Sequence, residues 1–307
     1  MKNKTSILRA FTLVELMTAI FIICVLIALI IPAVQNAREA SRTATCASNL
    51  RAIGTALHQH AESLQKFPAG SGRKINESYL VHLLPYMEQS PLYNSINLHP
   101  RIFYDFADSN MTVALTQIQG FLCPSDLARS DIFASASSNY AGNFGMNVKG
   151  AFDSRPLGIS EFTDGTSTTV GVSEWIVGPG TATSGTRLGA IFSLTKINDG
   201  STSRDFEESC LLLPPAQSTV GIGYKGRWWL KGMAGITLYN HTLTPNEPSC
   251  TYADNNKFLA VTAASNHGHG AHSLMMDGSV KFIKKTIDRA TWKALGTRSG
   301  QEIVQQY

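Results

Sequence analysis

The sequence contains few charged residues, no long block of like charge and no internal repeat. Asp, Glu, Lys and Arg make up 16% of the 307 residues, and the formal net charge is +4. Because the basic residues are dispersed, the composition does not indicate a nucleic-acid-binding protein. The chain also lacks a G-x-S-x-G sequence, the turn that exposes the nucleophilic serine of many hydrolases. We therefore predict that the protein is not an enzyme and has no catalytic residues.

One long apolar run stands near the N-terminus. Residues 11–31 are apolar except for Glu15 and two threonines, and the basic residues Lys2, Lys4 and Arg9 precede them. As an α-helix, this run is about 30 Å long, which matches the apolar core of a bilayer. Basic flanks remain in the cytoplasm. The pattern predicts a single-pass inner-membrane helix, with the N-terminus cytoplasmic and the C-terminal region periplasmic.

Glu15 is the one carboxylate inside this run, at the fifth position counted from Phe11. A comparable acid in the middle of a membrane helix costs about 2.5–3.5 kcal/mol by insertion scales, so it usually marks function. A basic leader that ends before the apolar run, followed by such an acid, resembles a type IV pilin precursor. Two alternatives are a signal peptide cut near Pro32 and an anchor that is never cut. Glu15 argues against both.

This resemblance implies how the N-terminus is processed. A prepilin peptidase would cleave between Ala10 and Phe11, and the new amine of Phe11 would be N-methylated. Such precursors usually carry Gly before the cut, whereas this chain has Ala10. Glu15 would then pair with the Phe11 amine of a neighbouring subunit, because an unpaired charge in lipid is costly. The alternative is that Glu15 lies near the membrane surface and is solvated.

Cysteine is scarce, with five in the chain. Cys24 lies in the apolar run and is expected to pack there as a small hydrophobic residue. The other four would lie in an oxidising compartment, where disulfides form. Four cysteines allow three pairings, and the sequence does not choose among them. We favour Cys46 with Cys123 and Cys210 with Cys250, the alternative being that some of these thiols stay free.

The pattern of small and apolar residues continues beyond the membrane run. These residues recur every three or four positions from Ala33 to Leu64, which predicts that the same helix continues past Pro32 and ends before the Pro/Gly cluster at 67–72. The rest of the chain is long enough for one large domain or two small ones. We predict four regions: a leader at 1–10, a membrane half-helix at 11–31, an extracytoplasmic half-helix at 32–66 and a globular region at 67–307.

The globular region is rich in Gly, Ser, Thr and Asn, which favours a loop-rich domain that contains β-structure. Asp277-Gly278 joins two apolar runs at 271–276 and 279–283, which predicts a β-hairpin whose type I′ turn has positive φ at both residues. At least one residue of Trp228-Trp229 is expected to pack in the core. Other predicted elements are a broken helix at 79–94, a helix or strand at 111–121, loops at 178–189 and 195–204, strands around 228–229 and at 257–263, and a helix at 286–295.

Several short motifs occur together in this chain. His267 precedes Asp277-Gly278 in a His-x9-Asp-Gly motif, and further motifs lie at 67–70, 84–89, 121–126, 139–142, 163–167 and 292–298. With these motifs, the whole chain resembles a planctomycete-type group of pilin-like proteins, relatives of the type II secretion G-like pseudopilins. Members of this group carry a prepilin-type cleavage and methylation motif and a C-terminal domain of unknown function.

The resemblance implies an α+β, pilin-like fold, in which a long N-terminal helix packs on an antiparallel β-sheet with large loop insertions. It implies a structural subunit of a type II secretion pseudopilus or of a type IV pilus-like filament. The implied partners are the prepilin peptidase, an assembly platform, and copies of this chain or other pilin-like subunits. The alternative function is a membrane-tethered protein that binds a ligand outside the cytoplasm.

The best metal candidate in the sequence is the His-rich loop at 266–272. His267 and His269 would share one face of an extended segment, and Asp277 could add a carboxylate. Because no second pair of ligands is evident, we favour a structural role, with His267 bonded to backbone and Asp277 in the hairpin turn. Asp164 could belong to a calcium loop, but an Asx turn is favoured. We predict no cofactor, with zinc or calcium as the alternatives.

Overall fold

The structure is a computed structural model of the full chain, which forms two compact units, 1–43 and 44–307. The described residues are 13–72, 76–98, 110–126, 136–145, 149–180, 186–195, 202–213, 218–223, 225–252 and 258–302. The predicted leader at 1–10 lies outside these residues.

Helix α1, Leu13–Leu64, has 52 residues and contains Pro32 without interruption. The prediction of one helix that continues past Pro32 and ends before residue 67 is confirmed. Side chains at 13–37 are exposed, and a window of this helix has a mean hydropathy of 3.0, so α1 is long and apolar enough to span a membrane. Farther along, one face of the helix is buried: Cys46, Ala47, Leu50, Ile53, Gly54, Ala56, Leu57 and His60.

The other helices are short. The predicted broken helix at 79–94 is present as two helices separated by a 3-10 turn, and the segment at 111–121 is a helix followed by a 3-10 turn. These helices are α2 (Tyr79–Leu83), α3 (Ser90–Asn94), α4 (Met111–Leu115), α5 (Ser203–Leu212) and α6 (Arg289–Leu295). Helix α5 overlaps a segment predicted as a loop. It begins at a reciprocal cap, in which the Thr202 hydroxyl accepts a hydrogen bond from the backbone N–H of Asp205.

The first sheet has five strands in the order β5-β1-β2-β8-β9. They are β1 (Tyr140–Asn143), β2 (Val170–Glu174), β5 (Leu238–Tyr239), β8 (Gly270–Met275) and β9 (Val280–Lys284). Strands β1 and β5 are parallel, and the other neighbours are antiparallel.

The second sheet has four strands in the order β4-β3-β6-β7. They are β3 (Ile191–Leu194), β4 (Ser218–Ile222), β6 (Ser249–Tyr252) and β7 (Leu259–Ala260). Strands β3 and β6 are parallel. The fold is therefore α+β as predicted, but the prediction of a single antiparallel sheet is wrong. Each sheet is mixed because a strand from a distant part of the chain pairs in parallel, which requires a long connection rather than a tight turn.

The hairpin predicted at Asp277-Gly278 is present between β8 and β9, but its turn is not type I′. Gly278 has a φ of +88°, whereas Asp277 is not among the described residues with positive φ. The backbone N–H of Gly278 donates to Met275 O at 3.0 Å, and that of Met275 donates to Ser279 O at 2.8 Å. This pattern fits a three-residue loop with a left-handed glycine. Asp277 favours the turn with its side chain, since Oδ1 accepts from the backbone N–H of Ser279 at 2.9 Å.

The tryptophan pair at 228–229 does not form a strand. Trp228 has a positive φ of 59°, which is incompatible with extended backbone. Trp229 is fully buried, its ring centroid lies 5.8 Å from that of Phe121, and its Nε1–H donates to Thr116 O at 3.0 Å. The expected core packing of one tryptophan is confirmed. The other predicted strand, at 257–263, contains the two-residue strand β7.

The main core lies between α1 and one face of the first sheet. Leu50 and Leu57 of α1 share a hydrophobic cluster with Val172 of β2 and Leu274 of β8. Gly54 allows this close approach, because a Cβ there would lie 2.7 Å from Leu274 Cδ1. A second cluster includes the alternating β8 residues, Ala271 and Met275, which belong to the opposite face. Even-numbered residues of β8 therefore point toward α1.

Candidate functional site: a buried glutamate between two histidines and a disulfide

Glu174, the last residue of β2, is the centre of a buried polar cluster. Its side chain is 1% exposed. Nδ1 of His272 lies 3.1 Å from both carboxylate oxygens, and the backbone N–H of His272 donates to Oε2 at 2.8 Å. On the other side, Nε2 of His267 lies 3.7 Å from Oε1. A carboxylate buried away from water is tolerated here because polar partners surround it.

Strand register brings Glu174 and His272 together. Strands β2 and β8 pair antiparallel with Val172 opposite Leu274 and Ser173 opposite Ser273. The same register continued by one residue places His272 across from Glu174, and directly opposed side chains of an antiparallel pair lie in contact. Both residues therefore share the sheet face that covers α1.

The Cys46–Cys123 disulfide lies next to Glu174 and His267. Cys46 belongs to the buried face of α1, and Cys123 follows the 3-10 turn Gln119–Phe121. Nε2 of His267 lies 3.2 Å from Cys123 Sγ. One potential ligand atom from each of four buried residues lies within 4.8 Å of the others: Cys46, Cys123, Glu174 and His267.

The loop that carries His267 is held from both sides. The Asn266 side chain donates to Ser125 O at 2.9 Å, and the backbone N–H of His267 donates to Ser265 Oγ at 3.1 Å. Ser265 in turn donates to Gly270 O at 2.7 Å. These bonds connect the loop to the segment after Cys123 and to the start of β8.

The structure does not bring the predicted metal candidates together. His267 is buried, whereas His269 is exposed, because the chain turns at Gly268 with a φ of +68° instead of remaining extended. Asp277 is exposed in the turn after β8, whereas His267 precedes that strand. The His-x9-Asp-Gly motif thus brackets β8, with the buried histidine at one end and the hairpin turn at the other. The Nε2 atom of the His267 ring contacts Glu174 and Cys123.

Tyr140 connects the cluster to strand β1. Its hydroxyl donates to Cys46 O at 3.2 Å, and it pairs with Glu174 across the β1–β2 ladder. Burial raises the pKa of Tyr140 far above its usual range, and the negative charge of Glu174 raises this pKa further. The phenol therefore remains protonated and acts as a hydrogen-bond donor.

A buried lysine lies elsewhere in the domain. Lys225 is fully buried, and its Nζ donates to Leu188 O at 3.0 Å, Ser249 Oγ at 3.2 Å and Thr262 O at 3.2 Å. Nζ also lies 5.5 Å from the ring centroid of Trp175. Desolvation lowers the pKa of Lys225 to about 7, although the negative charge of Asp126 acts in the opposite direction. No sequence pattern marks this lysine.

The four cysteines of the globular unit pair as favoured from the sequence, Cys46 with Cys123 and Cys210 with Cys250. The second bridge connects α5 to β6. Cys24 is free and exposed on α1.

The remaining predicted site residues are those at the N-terminus and Asp164. Ala10 and Phe11 lie outside the described residues, and Glu15 lies in the first turn of α1.

Asp164 uses both carboxylate oxygens as acceptors, since Gly300 N–H donates to Oδ2 at 2.6 Å and Gln301 N–H donates to Oδ1 at 2.9 Å. Oxygens that face N–H donors are poor cation ligands. These two bonds reach residues 136 and 137 positions away, whereas an Asx turn bonds the backbone about two residues on, so they connect the turn at 163–167 to the C-terminal segment.

Comparison with known families identifies the globular region. A family model described as a protein of unknown function (DUF1559) matches residues 35–290. The chain belongs to the DUF1559 family. Comparisons with curated proteins and with solved structures found no match. The DUF1559 match includes the buried cluster, both disulfides and the hairpin turn, and it begins after the apolar run at 11–31.

Sequence reasoning missed Glu174 in this DUF1559 domain, and it included His272 only as the last residue of the His-rich loop at 266–272, without its pairing to Glu174. One signal was available for Glu174, which is the one charged residue in the sequence Val170-Gly171-Val172-Ser173-Glu174-Trp175. A single acid in an otherwise apolar strand is a buried polar residue and requires a partner. His272 had no such signal, because its partner lies 98 positions away in the sequence.

Proposed function

We propose that this DUF1559 protein is a structural, pilin-like subunit, anchored in the membrane by α1 and assembled into a pseudopilus or pilus-like filament. The observation that carries the proposal is the first part of α1, in which an exposed apolar surface contains one acid. Leu13, Met17, Phe21 and Leu29 are 64–75% exposed. Such a surface is stable only in lipid or against other helices.

The position of Glu15 supports assembly and not simple anchoring. A plain anchor gains nothing from a carboxylate, because placing an acidic side chain in lipid is unfavourable. Glu15 follows Phe11 by four positions in the sequence, a spacing that corresponds to about one turn of an α-helix. After cleavage before Phe11, the free amine would supply the positive partner. Pairing between subunits would set their axial stagger.

The disulfides support an extracytoplasmic location for the globular unit. Two bridges in one domain are typical of proteins that fold in an oxidising compartment. This agrees with an orientation in which the basic N-terminal residues remain in the cytoplasm. The prepilin peptidase and an assembly platform are the proposed partners, with other pilin-like subunits along the filament.

Mass spectrometry of the mature N-terminus tests the processing step. Co-expression with a prepilin peptidase is expected to produce a chain that begins at N-methylated Phe11. An Ala10→Leu variant, with a bulky residue before the cut, is expected to stay unprocessed, and Ala10→Gly should be cleaved at least as well as wild type. A wild-type chain that retains Met1, or one that begins after Pro32, contradicts the proposal.

Glu15→Leu tests the assembly step. This variant should still insert in the membrane, because a leucine is more favourable in lipid than a carboxylate. It should give no filaments in the sheared cell-surface fraction, since the partner of the Phe11 amine is absent. Thr18→Leu, one turn farther along the same helix, is the matched control and should assemble normally. Normal filaments from Glu15→Leu would exclude the role in stagger, and wild-type monomers without filaments would favour a tethered ligand-binding protein.

A further inference from the structure

The buried cluster around Glu174 has the composition of a metal site. We propose that, when the Cys46–Cys123 disulfide is reduced, Cys46, Cys123, Glu174 and His267 bind one Zn²⁺. Disulfide formation and zinc binding would then be mutually exclusive states of the same four residues. This inference concerns the globular domain alone and does not depend on the pilin-like role.

The ligand types fit zinc. Two thiolates, one imidazole and one carboxylate are a tetrahedral set that zinc accepts, whereas Ca²⁺ and Mg²⁺ prefer oxygen ligands. The ligands approach from four separate segments: α1, the loop before residue 126, strand β2 and the loop before β8. Zinc would therefore join parts of the domain that are far apart in sequence.

The distances require only small movements. The four potential ligand atoms already lie within 4.8 Å of one another. In a tetrahedral site with Zn–S bonds of about 2.3 Å, two sulfurs lie about 3.8 Å apart. The reduced sulfurs must separate to that distance, and side-chain rotation can achieve this from Cα atoms that are 5.0 Å apart.

Surrounding hydrogen bonds already orient the ligands. His272 holds the Glu174 carboxylate through its backbone N–H and Nδ1. The backbone N–H of Cys123 donates to Asn139 Oδ1 at 3.0 Å. Contacts of this kind around the ligands raise metal affinity, because they reduce the freedom that binding must remove. The cluster is therefore organised before any metal arrives.

The redox step is a two-electron exchange. A cellular dithiol would transfer two electrons and two protons to the Cys46–Cys123 bond, yielding two thiols and its own disulfide. Zn²⁺ then displaces both thiol protons and binds the two thiolates. In the reverse direction, a disulfide oxidant accepts two electrons as the sulfur–sulfur bond reforms, and Zn²⁺ leaves as the hydrated ion.

Metal content of the full chain in detergent micelles tests the proposal. A water-soluble phosphine with water reduces the disulfides and becomes the phosphine oxide. The reduced chain is then incubated with ZnCl₂ and desalted without air. We expect about one zinc per reduced chain and none in the oxidised chain. Co²⁺ in place of Zn²⁺ should give a thiolate-to-cobalt charge-transfer band. A reduced chain that retains no zinc would overturn the proposal.

The second disulfide provides a matched control. A chain with Cys210→Ser and Cys250→Ser should still bind zinc after reduction, whereas one with Cys46→Ser and Cys123→Ser should not. If zinc binding follows the 210–250 pair instead, the assignment is wrong. The exposed His269→Gln variant should bind zinc as wild type does. His272→Phe should weaken zinc binding by about 10–100-fold, the usual effect of losing a residue that orients a ligand.

Alkylation of the wild-type chain tests zinc binding at Cys46 and Cys123 even if the serine variants do not fold. The reduced protein is treated with iodoacetamide with and without Zn²⁺, and modified peptides are quantified by mass spectrometry. Zinc should slow alkylation of Cys46 and Cys123 but not of Cys210 and Cys250. Equal protection of the two pairs, or protection of neither, counts against the site.

Discussion

Two buried ionisable side chains, Glu174 and Lys225, show how single residues are accommodated in this domain. Glu174 has two histidines and a backbone N–H as partners, whereas the Lys225 ammonium has three oxygen acceptors and an aromatic ring. Isolated charges are unstable in a protein interior. Desolvation lowers the pKa of the Lys225 amine to about 7.

Lys225→Met is expected to remove a pH dependence of stability. The unfolded lysine keeps its ordinary pKa near 10.5, so between pH 7 and 10.5 the unfolded chain binds a proton that the folded chain has released. The free energy of unfolding therefore rises with pH in this window, by at most about 1.4 kcal/mol per pH unit from this group. Urea midpoints measured from pH 7 to 9.5 should rise in wild type and less in Lys225→Met.

Lys285→Met is the control for this measurement, because Lys285 is exposed. It should keep the wild-type slope. Identical slopes for wild type and Lys225→Met would show that Lys225 does not change its protonation on unfolding in this range.

The elements of the fold differ in how far local sequence specifies them. Helix α1 is predicted by the periodic pattern of small and apolar residues, and its end is predicted by the Pro/Gly cluster at 67–72. Both signals can be recognised in the sequence without tertiary information. The β8–β9 hairpin also follows from a local signal, the Asp-Gly pair between apolar runs. Its turn type does not, because the side chain of Asp277 favours a loop in which Gly278 alone adopts positive φ.

Gly278→Ala is expected to lower the free energy of unfolding by about 1–2 kcal/mol, the usual cost of a left-handed conformation for an L-residue with a Cβ. Steric overlap does not cause this loss of stability, since a Cβ at Gly278 would contact only the His58 ring, at an ordinary distance of 3.5 Å. Gly278→Asn should cost less, because asparagine tolerates this conformation. Denaturant midpoints compare the two variants, and equal destabilisation by Ala and Asn would contradict the conformational explanation.

The whole molecule combines an apolar helical segment with a disulfide-linked domain. The boundary between the two compact units falls within the sequence of α1, after residue 43. The apolar part of the helix belongs to the first unit, whereas the buried cluster and both sheets belong to the second. This division predicts that membrane association depends on the first unit alone.

Removal of residues 1–34 is expected to release the protein from the membrane. The truncated chain keeps the part that matches the DUF1559 model and loses the exposed apolar surface. After carbonate extraction of cells expressing each form, the full chain should remain in the membrane pellet and the truncated chain should be soluble. For the comparison, the truncated form carries a cleavable secretion signal, so that both reach the oxidising compartment. Retention of the truncated chain in the pellet would locate the membrane contact in the globular unit.

Local patterns in the sequence determined the long helix, its end near residue 67, its ability to span a membrane and the position of the C-terminal hairpin. Each of these features depends on residues close together in the chain, because it follows from hydrophobic periodicity, from helix-breaking Pro and Gly residues or from turn preference. The tertiary structure decided the two mixed sheets and the meeting of Cys46, Cys123, Glu174 and His267. These four residues come from segments at least 50 positions apart, and strand register and loop closure bring them together. Such contacts depend on long-range packing, which leaves no periodic trace in the local sequence.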